Sequence, residues 1–394
     1  FLGKEPDIIT PNGFKSEHLL SLDHVQNLRK TTREILPALV GAVTGKKVDD
    51  RAFYILTSGR YEFHNKGIDL FLDALGELKQ NLAPDDQVIA IFAIPAYHAG
   101  VNVEIAQHFN HQTLNPESHY STHYLFDENN DQIIQKLKSL QILNNPNDPL
   151  QVIFIPSYLD GNDGLLNMSY YDFLAGMDLT VFPSYYEPWG YTPMESIAYG
   201  IPTITSSLSG FGRWIEQHHP NQQVVTILER NDYNYQEAKT NLANHIYQFL
   251  HKTFEEKQTL FESSVELAKE FTWKKFISYY FEAYEKGLKK TKERFNLYKG
   301  KTPQTLGEPV QNVQQPIWRK VLVKPQYPEE LNPLLELMRN LWWTWHPEAE
   351  ELFSSIHPEY WEESEHNPLK MLEMLSLHQI QQLAQNHDFL EKLQ

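Results

Sequence analysis

Two short segments hold the residues best suited to chemistry. The first, TSGRYEFHNKGID at Thr57 to Asp69, follows an apolar run and opens into a helix-period stretch. Gly59 and Gly67 allow close backbone approach, while Arg60 and Lys66 flank the turn beside a helix N-terminus, and these are parts of an anion site. Neither the Walker spacing nor GxGxxG is present, so such a site would grip phosphate with side chains more than with a glycine-rich cradle. A solvated βα loop with two surface cations is the alternative. The second segment, FPSYYEPWGYTPMES at Phe182 to Ser196, again joins an apolar run to a helix. Thr192 is suited to the N-cap and Pro193 to the first turn, so the N–H groups after Gly190 should point beyond the strand end as a second anion-binding helix start. Glu187 in the loop and Glu195 in the expected first turn could reach different parts of one ligand. Capping would also account for Glu195. Glu187, between Tyr186 and Pro188 in an aromatic loop, has no evident structural use.

Tyr170 and Tyr171 could stack on a base, or belong to core or rim as helical tyrosines usually do. His64 and His123 read as isolated. No HExxH, spaced His/Asp cluster or GxSxG occurs, so neither a metal site nor a serine nucleophile is expected.

These segments need a frame to hold them. Phe53 to Leu56, Val88 to Ile94, Val152 to Ile155, Leu179 to Phe182, Ile201 to Thr205 and Val224 to Leu228 are short apolar runs that read as strands buried on both faces. Between the first two, Ile68, Phe71, Leu72, Leu75, Leu78 and Leu82 form one apolar helical stripe. The alternation predicts an α/β fold with a parallel sheet covered by helices, which places ligands at the carboxyl ends of the strands. A long helix is expected from Trp273 to about Asn296. A Pro- and Gly-punctuated stretch around Lys301 to Pro316 reads as a linker, and Leu331 to Gln394 as helical, with Trp342, Trp343, Trp345 and Trp361 supplying half of the eight tryptophans. The resulting division is 1–298, 299–327 and 328–394.

The chain has 394 residues, with 34 Lys and Arg against 51 Asp and Glu, a net charge of -17. A broad landing surface for nucleic acid or anionic lipid is therefore not expected. No apolar run approaches the ~18 residues of a membrane span, and the absence of cysteine suits a reducing cytoplasm. A start at Phe1 and an end within a helical pattern suggest a piece of a longer polypeptide.

The two chemical segments, with DIITPNG at Asp7 to Gly13 and LSGFG at Leu208 to Gly212, resemble glycogen synthases of the animal and fungal type, in register from about Asp7 to about Lys290. The resemblance implies the GT-B glycosyltransferase architecture, two Rossmann-like domains closing over a nucleotide sugar, with this chain similar to the second, donor-binding domain. By position, Arg60 and Lys66 match the pair that neutralises the diphosphate of UDP-glucose. Glu187 matches the active-site carboxylate near the glucosyl ring, Glu195 the carboxylate on the ribose hydroxyls and Tyr170 the residue stacked on uracil. Gly190, Tyr191 and Thr192 match the phosphate-side turn, and Gly59 in the first loop is counted with them as substrate-binding. The partners implied are UDP-glucose and an α-glucan, with no cofactor in this chain. A homo-oligomer is compatible with the sequence.

Two departures stand out. Asp178 occupies a position where the family has His, and Lys274, Lys275 and the later lysines are sparser than the arginine-rich helix that eukaryotic members use for glucose-6-phosphate control. Past the linker, LNPLLELMRNLWWTWHPEAEELF at Leu331 to Phe353 resembles the N-terminal helical region of bacterial α-glucan phosphorylases. That implies a synthase–phosphorylase fusion whose pyridoxal phosphate would belong to a domain past Gln394. Trp343 or Trp345 could contact carbohydrate there, or belong to the helical core.

Overall fold

A computed structural model of the chain describes residues 6–15 and 19–298. The expected linker and the Trp-rich helical segment lie outside the described residues. Contacts group the chain into two units, Phe1–Tyr298 and Lys299–Gln394, and the described residues belong to the first.

After α1 (Leu22–Thr44), the elements are β1 (Phe53–Ser58), α2 (Ile68–Lys79), β2 (Val88–Ala93), β3 (His98–Val101), α3 (Val103–His111), β4 (His123–Leu125), α4 (Gln132–Ser139) and β5 (Leu150–Ile155). The second half runs through α5 (Tyr170–Ala175), β6 (Leu179–Phe182), α6 (Tyr191–Ala198), β7 (Thr203–Ser206), α7 (Gly210–His218), β8 (Val225–Leu228), α8 (Tyr235–Leu250), α9 (Phe254–Ala268) and α10 (Trp273–Tyr298).

Six strands pair in parallel in the order β5-β2-β1-β6-β7-β8. Each of the six apolar runs supplies one of them. β2, β5, β6 and β7 are buried along their whole length, which is why they read as continuous apolar runs and not as alternation. Ile201 and Pro202 precede β7 instead of belonging to it. On α2 the stripe Ile68, Phe71, Leu72, Leu75 and Leu78 is buried, and α2 packs on α4 and α8 while α1 packs on α3 and α5. The α/β fold with a parallel sheet covered by helices, expected from the alternation, is the one observed, and it agrees with the Rossmann-like domain that the resemblance implies.

β1 sits at the reversal of this order. The chain builds outward from β1 through β2 to β5, then returns to its other side with β6, β7 and β8. The loops leaving β1 and β6 therefore diverge at neighbouring positions, which opens a crevice at the carboxyl edge.

At the amino edge, Asp178 has a structural role. Its carboxylate accepts from Arg29 at 2.6 Å and from the Tyr54 N–H at 2.8 Å, and pairs with Arg33. The same arginines reach the end of α5, Arg29 donating to the Ala175 and Met177 carbonyls and Arg33 to the Gly176 carbonyl. Burial alone would raise the Asp178 carboxyl, but Arg33 and Arg29 outweigh it and hold it below its usual range. The cluster lines a cavity of ≈ 550 Å³ on the edge away from the crevice. Among the described residues no helix is long and apolar enough to cross a membrane.

Candidate functional site

The loop after β1 is built around its glycines and a tight turn. Gly59 has φ 138 and faces open space where a side chain would begin. The Lys66 N–H donates to the Glu62 carbonyl at 2.8 Å and the Gly67 N–H to the His64 carbonyl at 3.0 Å. Gly67, at φ 68, is the N-cap of α2, and a Cβ there would lie 2.2 Å from the Pro183 carbonyl oxygen. Only glycine allows that approach. Arg60 pairs with Glu62 at 2.8 Å, its side chain 75% exposed. His64 is not isolated, since its Nδ1 bonds the buried Asp69 carboxylate at 2.8 Å. His123 likewise meets His98 edge to face, with ring centroids 4.6 Å apart, and its Nε2 bonds the Asp163 carbonyl at 2.9 Å.

The loop after β6 is held by the LSGFG segment. The Glu187 N–H donates to the Leu208 carbonyl at 3.4 Å, Gly210 donates back to the Glu187 carbonyl at 3.0 Å, and Phe211 donates to the Trp189 carbonyl at 2.8 Å. A Cβ on Gly210 would sit 2.2 Å from the Pro188 carbonyl oxygen, so the two chains lie in backbone contact. Trp189 is wedged between Phe211 and Phe276. Glu187 is thus carried on a backbone braced from β7 and α7.

The start of α6 differs from expectation. Its N-cap is Gly190, in the left-handed region at φ 105, so Thr192 and Pro193 are the second and third helical residues. Proline fits there because its missing N–H would have no helical partner anyway. Glu195 then falls past the first turn, as the fifth helical residue. Its carboxylate accepts from the Tyr171 hydroxyl at 3.0 Å.

The structure brings Gly59, Arg60, Lys66, Glu187, Tyr191 and Thr192 to one cavity of ≈ 260 Å³, completed by Thr57, Ser58, Phe182, Ser184, Pro193 and Thr205. Lys66 is in direct contact with Glu187 across it, the side chains 19% and 21% exposed. Two cations against one carboxylate make the lining net positive in a chain of charge -17. Such a spot focuses anions, and α2 and α6 both begin beside it. The Nζ has three donors, so it can hold Glu187 and a ligand oxygen together.

Tyr170, Gly190 and Glu195 lie outside that lining. Tyr170 adjoins it through its hydroxyl, 2.8 Å from Ser58 Oγ. Tyr171 stacks on Tyr199 with centroids 5.3 Å apart and planes 10° off parallel. Burial, with Glu195 adding to it, pushes the Tyr170 and Tyr171 hydroxyls up, and Tyr199 is pushed up to about 12 by burial and Asp172. All three stay protonated at neutral pH, so Tyr171 can donate to Glu195. Tyrosine and glutamate thus form a second patch joined to the cavity by Ser58.

Sequence reasoning passed over Ser58, Ser184 and Thr205, ordinary strand-end residues whose only signal was their position at carboxyl ends. One carboxylate–imidazole group among the described residues, Glu104, Glu117 and His119, brings potential ligand atoms within 4.8 Å of one another. Its members lie on α3 and the segment after it, and none lines the cavity.

Comparison with known proteins bears on this geometry. The family model described as glycogen synthase matches residues 1–112 and 108–317, and one described as a protein of unknown function (DUF3417) matches 327–394. Glycogen [starch] synthase isoform 2 of Saccharomyces cerevisiae is 26% identical, covering 73% of this chain and 51% of the yeast protein. The Caenorhabditis elegans glycogen [starch] synthase is 28% identical, covering 71% and 51%, and the human liver form 28%, covering 63% and 43%. The chain spans about half the length of the curated relatives it matches. Among solved structures, the catalytic domain of starch synthase IV from Arabidopsis thaliana, bound to ADP and acarbose, aligns with a TM-score of 0.40 at 18% identity, covering 70% of this chain and 46% of that one.

Proposed function

From this chain's membership of the glycogen synthase family we propose that it is the donor-binding half of an enzyme transferring glucose from UDP-glucose to the non-reducing end of an α-1,4-glucan with retention. The observation that carries the reading is the pairing of Lys66 with Glu187 across the switch-point cavity that Arg60 also lines. Breaking a glucosyl–phosphate bond leaves negative charge on UDP and positive character on the sugar carbon. Fixed cations beside the diphosphate then stabilise the transition state more than the ground state. Lys66 holds the leaving phosphates, Arg60 swings from Glu62 to meet them, and Glu187 positions the glucosyl ring. Tyr170 and Glu195 receive the uracil and the ribose hydroxyls, and the acceptor attacks the face from which UDP leaves. The N–H groups of Tyr191 and Thr192 add donors on the phosphate side.

In the full-length protein, Arg60→Ala or Lys66→Ala should lower glucosyl transfer ~10²-fold or more, the scale for one lost preorganised donor. Turnover close to wild type in either variant would refute the assignment. Titrating UDP-glucose against ADP-glucose checks the donor.

We propose one extension, that the full-length protein is a synthase–phosphorylase fusion in the cytoplasm; it rests on the resemblance of Leu331 to Phe353 to bacterial α-glucan phosphorylases, in a stretch matched by a family of unknown function. Assaying it for transfer from UDP-glucose and for phosphorolysis of the glucan tests this, and absence of phosphorolysis refutes it.

A further inference from the structure

Arg230, two residues past β8, is 4% exposed, and a buried guanidinium is costly unless its geometry is specified from every side. It donates to the Pro183 carbonyl at the end of β6 and lies 5.2 Å from the centroid of the Tyr185 ring. Gly67 passes so close that a Cβ on it would come within 2.7 Å of Arg230 Nη1. Burial lowers its pKa, with Asp69 acting in the opposite direction. Its own backbone is anchored by the Arg230 N–H donating to Ser207 Oγ at 3.0 Å. One side chain thus reaches from β8 past β7 to the end of β6 and the start of α2. A single backbone bond lies alongside, from the Tyr185 N–H to the Asn65 carbonyl at 2.8 Å.

Arg230 does not line the ≈ 260 Å³ cavity. What it touches are the hinge points of the two loops that do: Gly67 is next to Lys66, and Pro183 to Glu187 is the run from β6 to the site carboxylate. An apolar side chain could fill the volume, but it could not donate to a strand-end carbonyl that the sheet leaves unpaired. Arginine, with its planar fork on a long stem, can do both.

We infer that Arg230 is a positioning residue, which sets the separation of the Lys66 and Glu187 loops and so the grip of the site on a diphosphate. The inference deepens the proposed function and rests on it for the choice of ligand. The clamp between the loops does not depend on that choice.

The test uses calorimetric titration of UDP and of uridine into the 394-residue chain with Arg230→Met, Arg230→Lys, Lys66→Met and the Arg230→Met/Lys66→Met pair. UDP affinity should fall ~10-fold or more in Arg230→Met, since misplacement on the ångström scale costs at least that in a preorganised site. Uridine affinity should stay within twofold, Arg230→Lys should recover part of the loss, and the pair should bind no more weakly than Lys66→Met alone, because residues acting through one contact are not additive. A general loss of structure would lower both affinities alike. UDP affinity within twofold of wild type, equal losses for UDP and uridine, or additive losses in the pair would each overturn the inference. Should wild type bind no UDP, the proposed function fails, and hydrogen exchange decides the clamp. Amides of 61–67 and 184–190 should then exchange at least ~10-fold faster in Arg230→Met while those of β2 keep their protection. Unchanged exchange in those loops would overturn it.

Discussion

Replacing Gly67 with alanine tests whether the crevice is held by backbone contact. The residue has φ 68, so a side chain costs about 1 to 2 kcal/mol in the left-handed region. The new Cβ would also lie 2.2 Å from the Pro183 oxygen and 2.8 Å from its carbon. An ordinary carbon–oxygen contact is about 3.3 Å, so the loops must part by about 1 Å. That opens the Tyr185–Asn65 hydrogen bond, of about 1 kcal/mol, and strains the charge-assisted bond from Arg230, of about 1.5 to 3 kcal/mol. The expected loss is about 4 to 6 kcal/mol, read from urea unfolding by far-ultraviolet circular dichroism. Gly59→Ala is the internal control, because φ 138 is strained there too, yet no atom lies within 4 Å of the added carbon. It should cost about 1 to 2 kcal/mol. Equal losses in the two variants would mean that the loops are not in the contact described, and the positions argued for Lys66 and Glu187 would fall with it.

Two further expectations concern other parts of the molecule. Asp178→Asn should destabilise the chain by about 2 to 4 kcal/mol at neutral pH, since it leaves Arg29 and Arg33 without their carboxylate. The Asp178 pKa is lowered in the fold, so its contribution is present above the unfolded value of about 3.9 and is lost as pH falls through the folded one. Wild type and variant should therefore converge in stability below about pH 4, and a gap that stays constant in acid would contradict the ion-pair account. Tyr170→Leu should weaken uridine and UDP by the same factor, about 5-fold or more for a lost stacking face. Calorimetry giving a loss for UDP alone would move Tyr170 from the base to the phosphates.

How much of this was legible in the sequence depended on the range of the interaction involved. β2 and β5 announced themselves because full burial leaves a continuous apolar run, and α2 because its stripe has one period. α1 was harder to see. It is 23 residues long with Pro37 inside it, and a proline interrupts the pattern a reader follows even where the helix survives it. The antiparallel β3–β4 pair is short and half exposed, joined through α3 and with no alternation to mark it. At the site, Arg60, Lys66 and Glu187 could be picked out because a strand end followed by glycine and charge is a local signature. The start of α6 was misplaced because Thr and Pro are generic start signals. The deciding residue was Gly190, whose positive φ makes it the N-cap, on a loop that Gly210 meets at Pro188 and Trp189 from a distant part of the sequence. Arg230 had no local signature at all: it lies 47 residues from Pro183, the carbonyl it holds. The groups that would touch ligand are written next to turns, whereas the group that spaces those turns is written wherever the sheet order brings it. Only the fold, by placing β8 two strands from β6, brings that arginine to the loops that line the cavity.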